Sequence, residues 1–599
     1  MRIEDFLKMY CLKTANKFSI FVRSHYLHNL IYSVSSALPK SQSILNYKDF
    51  YGVDQPENPI SLLKGFDRAT VLAEFAALNY RLKPKTTMYY DTSLETQRKE
   101  LFYFCGNNEN LFRKYYPLFA RHIVNERKYS LIFTRQTCLY AMEDIIHSDL
   151  QEVKEFTMRH AWPKMLEYLL TVNTATTRQT NEISEKPLSL EELGPRMMPL
   201  NELSLDINPL YTPYRGYHLL DFFAGHAELG LHFTEYFTNT YGIQFDRFVY
   251  EQMSMYYANN RDGINNITNE FTGEKLDTSF HYSVKYEDQT LFNALSHLYP
   301  NEKTERLISI RKYPFVKTSD KTYLLTDSIL LLDKSYSQFI NDFWFDCVKQ
   351  IMGTDGKPAY PVRYYRAQIG KFIECYCKDS INHSFQNAKY HIVKTFDDLK
   401  FKRGNDEMEL TDVYIRYDKK VFLAEVKATG LYDEEKYSGD INKMYKGDRA
   451  KFFESFGVDQ MVNCIATLQE RVHEVDPKFP LNKRCHIYPA IIVNERALQT
   501  PLMAYIFDQR FRELLREREI GNLNVHALFL LHVSDLEHME DYLHREPNQF
   551  WKILRYHLRD PKFVPPFYNS LNRKDVRPNF QKIKKLFEEL VYKYQGKSI

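Results

Sequence analysis

The stretch TDVYIRYDKKVFLAEVKATG, residues 411–430, decides the fold predicted for the last third of the chain. Two apolar segments, LTDVYIRY and VFLAEVKAT, flank the dipeptide Asp418–Lys419. Such a pattern is typical of two antiparallel strands joined by a two-residue loop. In that register Tyr417 pairs with Lys420, and each further pair follows from this one. The sequence therefore predicts a hairpin whose cross-strand neighbours can be counted.

Three charged side chains gather at the open end of this hairpin. The register places Asp412 opposite Glu425, and Lys427 lies two residues further along, on the same strand face. Facing carboxylates repel each other unless a cation neutralises them, and Mg²⁺ is typically held by one or two carboxylates plus water and phosphate oxygens. A neighbouring lysine can orient a water or stabilise developing negative charge. The pattern indicates metal-assisted phosphodiester hydrolysis, with charged decoration of an ordinary hairpin as the alternative.

Helices and strands alternate around the hairpin, and they predict a mixed sheet with helices packed on it. Apolar residues three and four apart predict an amphipathic helix from about residue 358. The other predicted elements are a strand at 388–396, the two hairpin strands, a helix at 458–472, a strand at 485–494, a helix from 501, and a strand followed by a turn at 524–536. The predicted order is α-β-β-β-α-β-α-β.

In this order the segment resembles the PD-(D/E)XK nuclease superfamily, the restriction-endonuclease-like fold, over about residues 358–500. Asp412 matches the acid on the second strand of that family, and Glu425–Lys427 matches the Glu-x-Lys of the third strand. Glu374 matches a glutamate on the first helix. Gln460 matches a polar residue that opens the helix after the lysine strand. The resemblance covers about a quarter of the chain, and Thr411 stands where the family often has a proline.

The resemblance implies a metal-dependent nuclease using Mg²⁺ or Mn²⁺. DNA is favoured because most of the superfamily acts on it, in a setting such as prokaryotic restriction or phage defence. An RNA-specific nuclease and a catalytically inert nuclease-fold scaffold are the alternatives. The implied metal ligands are Asp412, Glu425, the Val426 carbonyl and Glu374. The implied catalytic set is Asp412, Glu425, Glu374, Lys427, which positions or activates water, and Gln460, which orients water or backbone.

Each of these motifs is weak when taken singly. Glu-x-Lys recurs at 126–128 and 434–436, and the tripeptide Glu-Val-Lys recurs at 152–154. Gly370, one helical turn before Glu374, is expected to let the first helix approach the sheet closely. The acidic cluster Asp406, Glu407 and Glu409 precedes the second strand, and we interpret it as a solvated turn rather than as ligands. The order of the motifs therefore carries more weight than any one of them.

Basic residues interleaved with tyrosine and phenylalanine surround the predicted site, as suits a phosphate backbone. A solvated charged helix is an equally good interpretation of the same pattern. The candidate nucleic-acid contacts are Lys443, Lys446, Arg449, Lys451, Arg363 and Arg366.

Composition predicts a multidomain α + α/β protein of the cytoplasm. A chain of 599 residues is too long for one compact core, so several domains are expected. The 80 basic and 77 acidic residues give a net charge of only +3, so any nucleic-acid affinity must come from local basic patches. The eight cysteines are scattered, so no disulfide framework is predicted. No apolar run is long enough to span a membrane, so no membrane segment is predicted. A protein partner or homo-oligomer is expected through the N-terminal region. The predicted domains are a helical domain at 1–170, a linker or long loop at 171–210, a second helical region with a small hairpin at 211–345, the nuclease-like domain at 346–536 and a helical extension at 537–599.

Overall fold

The structure is a computed structural model, and it describes most of the chain from residue 44 onwards. Gln42–Ile599 form one compact unit. The segments outside the description are 1–43, 84–89, 126–127, 151–157, 182–188, 205–208, 260–265, 269–274, 278–280, 284–288, 298–306, 404–405, 433–434, 437, 481–482, 560–564 and 596–599. The second Glu-Val-Lys copy and the start of the predicted first domain lie outside the described residues. The predicted domain boundaries stay predictions.

Helices dominate the chain up to residue 346, as expected. The α-helices there are Tyr47–Tyr51, Arg68–Leu82, Leu94–Phe104, Glu109–Ala120, Arg135–Ile146, Met158–Asn181, Leu190–Ser204, Tyr211–Ala224, Gly230–Tyr241, Phe245–Asn259, Gln289–Ala294, Ile308–Lys312, Ser328–Asp333 and Ser337–Asp346. The short strands are Ile123–Asn125, Lys128–Tyr129, Asn266–Thr268, Lys275–Asp277, His281–Ser283, Ser296–His297, Phe315–Ser319 and Thr322–Leu325. The last two of these strands form the predicted small hairpin.

The stretch 171–210, predicted as a linker or long loop, is helical over most of its described length, in the helices Met158–Asn181 and Leu190–Ser204. Its Thr, Ser, Asn and Pro residues suggested a loop, but the helix Leu190–Ser204 accommodates two of the prolines, Pro195 and Pro199, and also Gly194. A Cβ at Gly194 would lie 2.6 Å from Ile506 Cδ1. The missing side chain therefore lets this helix pack closely against the helix that carries Ile506, and tertiary packing outweighs the low helix propensity of glycine.

From residue 362 the chain builds the predicted mixed sheet. We label its elements α1 (Val362–Phe385), β1 (Ile392–Thr395), β2 (Val413–Tyr417), β3 (Lys420–Lys427), α2 (Val458–Val475), β4 (His486–Val493), α3 (Met503–Leu515), β5 (Asn524–Val525), β6 (Phe529–His532) and α4 (Val533–Arg545). The strand order is β5-β4-β3-β2-β1, with β6 also paired to β4. β1, β2 and β3 are antiparallel, whereas β3 pairs with β4 in parallel. The mixed sheet with packed helices is thus confirmed.

The two faces of the sheet pack into different cores because successive side chains point to opposite sides. Ile415 and Phe422 belong to the large core that includes α1 and α4. Tyr414 and Leu423 belong to a smaller core with α2 and α3. Side chains at the same parity as Leu423 in β3, among them Glu425 and Lys427, therefore face α2.

Several local details differ from the sequence prediction. The turn predicted after the last strand is the start of α4, where the side chains of His532 and Asp535 form a reciprocal capping box. Helix α1 begins at Val362 because Pro361 precedes it as the N-cap. A small antiparallel hairpin of strands Lys400–Arg403 and Asp406–Glu409, which we call the acidic hairpin, is inserted between β1 and β2.

The C-terminal part is helical, as expected. After α4 come the helices Gln549–His557, Phe567–Arg573 and Gln581–Gln595. Arg215 forms a buried ion pair with Glu537 of α4 at 2.8 Å, and Tyr376 of α1 donates a hydrogen bond to the same carboxylate. This buried network ties α1 to α4. In the described part of the chain, every helix is too short or too polar to cross a membrane.

Candidate active site

The β2–β3 hairpin has the predicted register. Tyr417 pairs with Lys420 across the two-residue loop, and Val413 pairs with Ala424 at the other end. The ladder ends at this pair, and Asp412 is the next residue on one side while Glu425 is the next on the other. The two carboxylate-bearing residues therefore flank the open end of the hairpin.

Both carboxylates are already hydrogen-bonded by the protein. Asp412 Oδ2 accepts the backbone N–H of Val426 at 2.6 Å. Glu425 is only 6% exposed, and its Oε2 accepts a hydrogen bond from Lys427 Nζ at 3.0 Å. These contacts fix the orientation of Asp412 and join Glu425 to Lys427 as an ion pair. The predicted Glu-x-Lys pair thus lies on one strand face.

Repulsion and burial disfavour ionisation of these carboxylates. Burial raises the pKa of Asp412, although Lys427 and the Val426 N–H oppose the shift. Burial, with the nearby Asp412 charge, raises the pKa of Glu425 to about 7. Glu425 is therefore only partly ionised at neutral pH, and Lys427 is the cation that compensates its charge. This electrostatic cost is the feature that distinguishes the site from a solvated hairpin.

Gly457, the residue before α2, makes room for the Lys427 side chain. Its φ of 81° is in the left-handed region. A Cβ at this position would overlap Lys427 Cε and would lie 3.3 Å from Gln460 Oε1 and 3.4 Å from Lys427 Nζ. Gln460 and the lysine ammonium therefore approach one another at the start of α2. In the sequence, this packing is indicated only by a glycine three residues before Gln460. The sequence prediction did not use that glycine.

Two further acids come near enough to interact with Asp412. Glu374 is exposed on α1, and partial loss of hydration together with Asp412 raises its pKa. Glu409 ends the acidic hairpin, and partial loss of hydration together with Asp412 raises its pKa to about 7, even though the residue is exposed. Glu409 is part of a strand rather than the predicted solvated turn, and the charge of Glu425 also acts on it.

Gly370 does not have the role expected of it. A Cβ at Gly370 would meet nothing within 4 Å. The position of Glu374 therefore does not depend on a close approach of α1 to the sheet at that glycine. Packing of the apolar face of α1, with Phe372 and Ile373 buried, positions it instead.

The donor set fits a hard divalent cation held mainly by two carboxylates. In the described residues, no three His, Cys, Asp or Glu side chains converge closely enough to hold an ion. Mg²⁺ commonly takes only one or two protein carboxylates and completes its shell with water and phosphate oxygens. Asp412 and Glu425, whose pKa values are raised by burial, meet that requirement.

Five of the six candidate nucleic-acid contacts are exposed, and two of these five, Arg366 and Lys446, lie against one aromatic ring. Arg363, Lys443 and Lys451 are exposed. Arg366 donates a hydrogen bond to the hydroxyl of Tyr432, and Lys446 Nζ lies 4.5 Å from the centroid of the same ring. Tyr432 is 46% exposed, and the sequence prediction did not include it.

Lys446 also forms an ion pair with Glu435 at 2.9 Å, and Arg449 is bound by two carboxylates of the protein. Its guanidinium donates to Glu191 at 2.7 Å and to Glu513 at 3.1 Å. These contacts link the helix Leu190–Ser204 and α3 to the helix Arg449–Ser455. The structure thus brings Arg366, Tyr432 and Lys446 together and gives Arg449 a structural pair of partners.

Comparison of the chain with protein-family models, with curated proteins and with solved structures gave no match. Functional inference therefore depends on the geometry of this chain's own residues.

Proposed function

We propose that this protein is a metal-dependent nuclease that hydrolyses phosphodiester bonds, with Mg²⁺ or Mn²⁺ as its cofactor. The observation that carries the proposal is the open end of the β2–β3 hairpin. There the Asp412 carboxylate is held by the Val426 N–H next to the buried Glu425, and Lys427 pairs with Glu425 in the space that Gly457 leaves free.

Each residue has a chemical task in this proposal. Asp412 and Glu425 would hold the cation, with the Val426 carbonyl as a further ligand. Glu374, which does not converge with them on one ion site, would contact the cation through a bound water. A bound divalent cation supplies charge for the phosphate oxygens and lowers the pKa of a bound water. Lys427, when a cation replaces it beside Glu425, would orient the attacking water or stabilise the developing negative charge. Gln460, close to the lysine ammonium, would orient water or the backbone of the substrate.

The electrostatics support a catalytic site over an inert scaffold. A protein that used this hairpin only for packing would gain stability from neutral residues at positions 412 and 425, because burial disfavours ionisation at both. Buried, mutually repelling carboxylates next to a lysine are the arrangement that a metal-dependent site requires. This cost is our reason for preferring the enzyme.

The substrate surface that we propose extends from the site towards Tyr432. Arg366 and Lys446 place two cations against an exposed aromatic ring. Cations for phosphates and an aromatic surface for bases are the usual combination for single strands or exposed ends. DNA is the favoured nucleic acid, and RNA is the alternative. A role in prokaryotic restriction or phage defence belongs to the same proposal.

Degradation of nucleic acid in the presence of Mg²⁺ tests the proposal. The wild type is compared with Asp412→Ala and Lys427→Ala on plasmid DNA and, in parallel, on RNA. Lys154→Ala is the matched control because it alters the lysine of the other Glu-Val-Lys tripeptide. We expect cleavage by the wild type and by Lys154→Ala, and loss of cleavage in both site variants. Equal cleavage by Asp412→Ala and the wild type would show that the activity does not come from this site.

A further inference from the structure

A basic cavity of about 380 Å³ lies in the C-terminal helical part, away from the hairpin's open end. Its lining residues are Lys552, Arg555, Tyr556, Arg559 and Lys574. The first four follow the spacing i, i+3, i+4, i+7 along the helix Gln549–His557 and the turn after it, so they share one face. Lys574 reaches the cavity from the end of the helix Phe567–Arg573.

The four cations have no acidic partner in the described part of the chain. All four are exposed, and none forms an ion pair with a described carboxylate, whereas Asp575, next to Lys574, pairs with Arg577 at 2.9 Å. Gathering like charges without a counter-charge destabilises a folded protein and creates a strong local positive potential. The described walls of the cavity therefore carry a positive potential that attracts an anion.

The walls of the cavity hold these charges in place. Tyr556 contributes its ring, whose centroid lies 4.5 Å from Lys574 Nζ and 5.2 Å from the Arg559 guanidinium. These distances are those of cation–π contacts, which limit the motion of both side chains. On the opposite side of the same helix, Trp551 and Leu554 are buried and anchor it to the body of the protein.

The cavity is distinct from the proposed active site. Lys420, at the loop end of β3, has its ammonium 5.9 Å from the ring of Trp551. Partial burial and the nearby Arg555 guanidinium lower the pKa of Lys420. Arg555, and with it the positive charge of the cavity, therefore lies near the loop end of the hairpin. Glu425 and Lys427 lie at the other end of β3, about 20 Å away at about 3.3 Å per residue.

We propose that this cavity binds a small ligand with two or more adjacent phosphate groups, such as a nucleoside diphosphate or triphosphate. Its volume is in the range of small-ligand sites, about 300–1,000 Å³. Two arginines and two lysines provide the donors that bind adjacent phosphates, arginine in a bidentate manner. The concave shape and the convergence of charges favour a compact ligand over an extended strand. This inference does not depend on the proposed nuclease activity.

Calorimetric titration of the full-length protein, without metal at first and then with Mg²⁺, tests the site. The probes are ATP, inorganic pyrophosphate and a short single-stranded DNA oligonucleotide. The test variants are Lys552→Gln/Arg555→Gln and, independently, Arg559→Gln. The matched control is Lys584→Gln/Lys585→Gln, which removes two exposed lysine charges from the helix Gln581–Gln595. All these positions are exposed, so we expect every variant to unfold at the wild-type temperature.

We expect ATP or pyrophosphate to bind the wild type and the control equally. Binding should weaken at least about tenfold in Lys552→Gln/Arg555→Gln, because two charge-assisted contacts are lost. The proposal is overturned if neither compound binds the wild type or if the test variants bind as the wild type does. It is also overturned if only the oligonucleotide binds, because the cavity would then be part of a nucleic-acid track.

Discussion

Replacing Gly457 with alanine tests whether the position of Lys427 matters for catalysis. The added Cβ would overlap Lys427 Cε and lie 3.4 Å from Lys427 Nζ. Restoring ordinary carbon–carbon contact, about 3.5–4 Å, moves the lysine side chain by about 1 Å. A misplacement of about 1 Å in an active site lowers the rate about a hundredfold. We expect that loss in the single-turnover rate of Mg²⁺-dependent DNA cleavage.

The backbone effect of the substitution can be separated from its effect on Lys427. An alanine in the left-handed conformation costs about 1–2 kcal/mol, which corresponds to a fall of about 1–2 °C in the unfolding temperature for a unit of this size. Gly52→Ala is the matched control, because Gly52 has a φ of 79° and a Cβ there would meet nothing within 4 Å. We expect both variants to lose similar thermal stability.

Only Gly457→Ala should lose cleavage activity, and its affinity for uncut DNA should stay within a few-fold of the wild type. The assay is a time course of plasmid cleavage with enzyme in excess, accompanied by a thermal unfolding curve for each variant. If Gly457→Ala cleaves as fast as Gly52→Ala, the lysine does not need its observed position. The assigned role of Lys427 would then be wrong.

Three further outcomes are expected from the charges around the site. The pKa of Glu425 is raised above its ordinary value of 4.5 to about 7, so the stability that this group contributes is fully present below about pH 4.5 and is lost as the pH rises through about 7. The Glu425→Gln side chain cannot ionise, so this variant should be more stable than the wild type at about pH 8, by up to about 3 kcal/mol of unfolding free energy. Thermal unfolding should show this difference disappear towards about pH 5. Adding Mg²⁺ at about pH 8 should raise the unfolding temperature of the wild type but not of Glu425→Gln, because the cation compensates the buried charge; equal shifts would argue against this site. Arg449→Ala should leave DNA affinity unchanged in a filter-binding assay, since its guanidinium is bound to Glu191 and Glu513, whereas Arg366→Ala should weaken it several-fold.

The hairpin was predictable because its information is local. A two-residue loop fixes the pairing of Tyr417 with Lys420, and every other pair follows by counting. Apolar periodicity likewise located α1, α2 and β4 to within a few residues. These features depend on neighbours in the chain, which sequence patterns report well.

Features that depend on distant contacts were not predictable in the same way. The role of Gly457 is visible only once Lys427, thirty residues earlier, is known to lie against it. Gly194 lies in a stretch predicted as a loop, although it permits a close approach of two helices. Gly370 looked like a packing glycine and faces open space. The local sequence thus does not distinguish a glycine that permits a close approach from one that meets no neighbour.

The parallel pairing of β3 with β4 has a consequence for the synthesis of this protein. The β2–β3 hairpin is local and can form as soon as its residues leave the ribosome, but β4 pairs Lys420 with His486 and Lys427 with Val493. Such non-local pairing forms late, because a long intervening chain must be ordered first. The first turn of α2 packs against Lys427, and α2 also comes after the hairpin in the chain. A nascent or truncated chain that ends before β4 therefore carries the proposed catalytic residues without the strand that pairs with β3, and we expect such chains to be inactive.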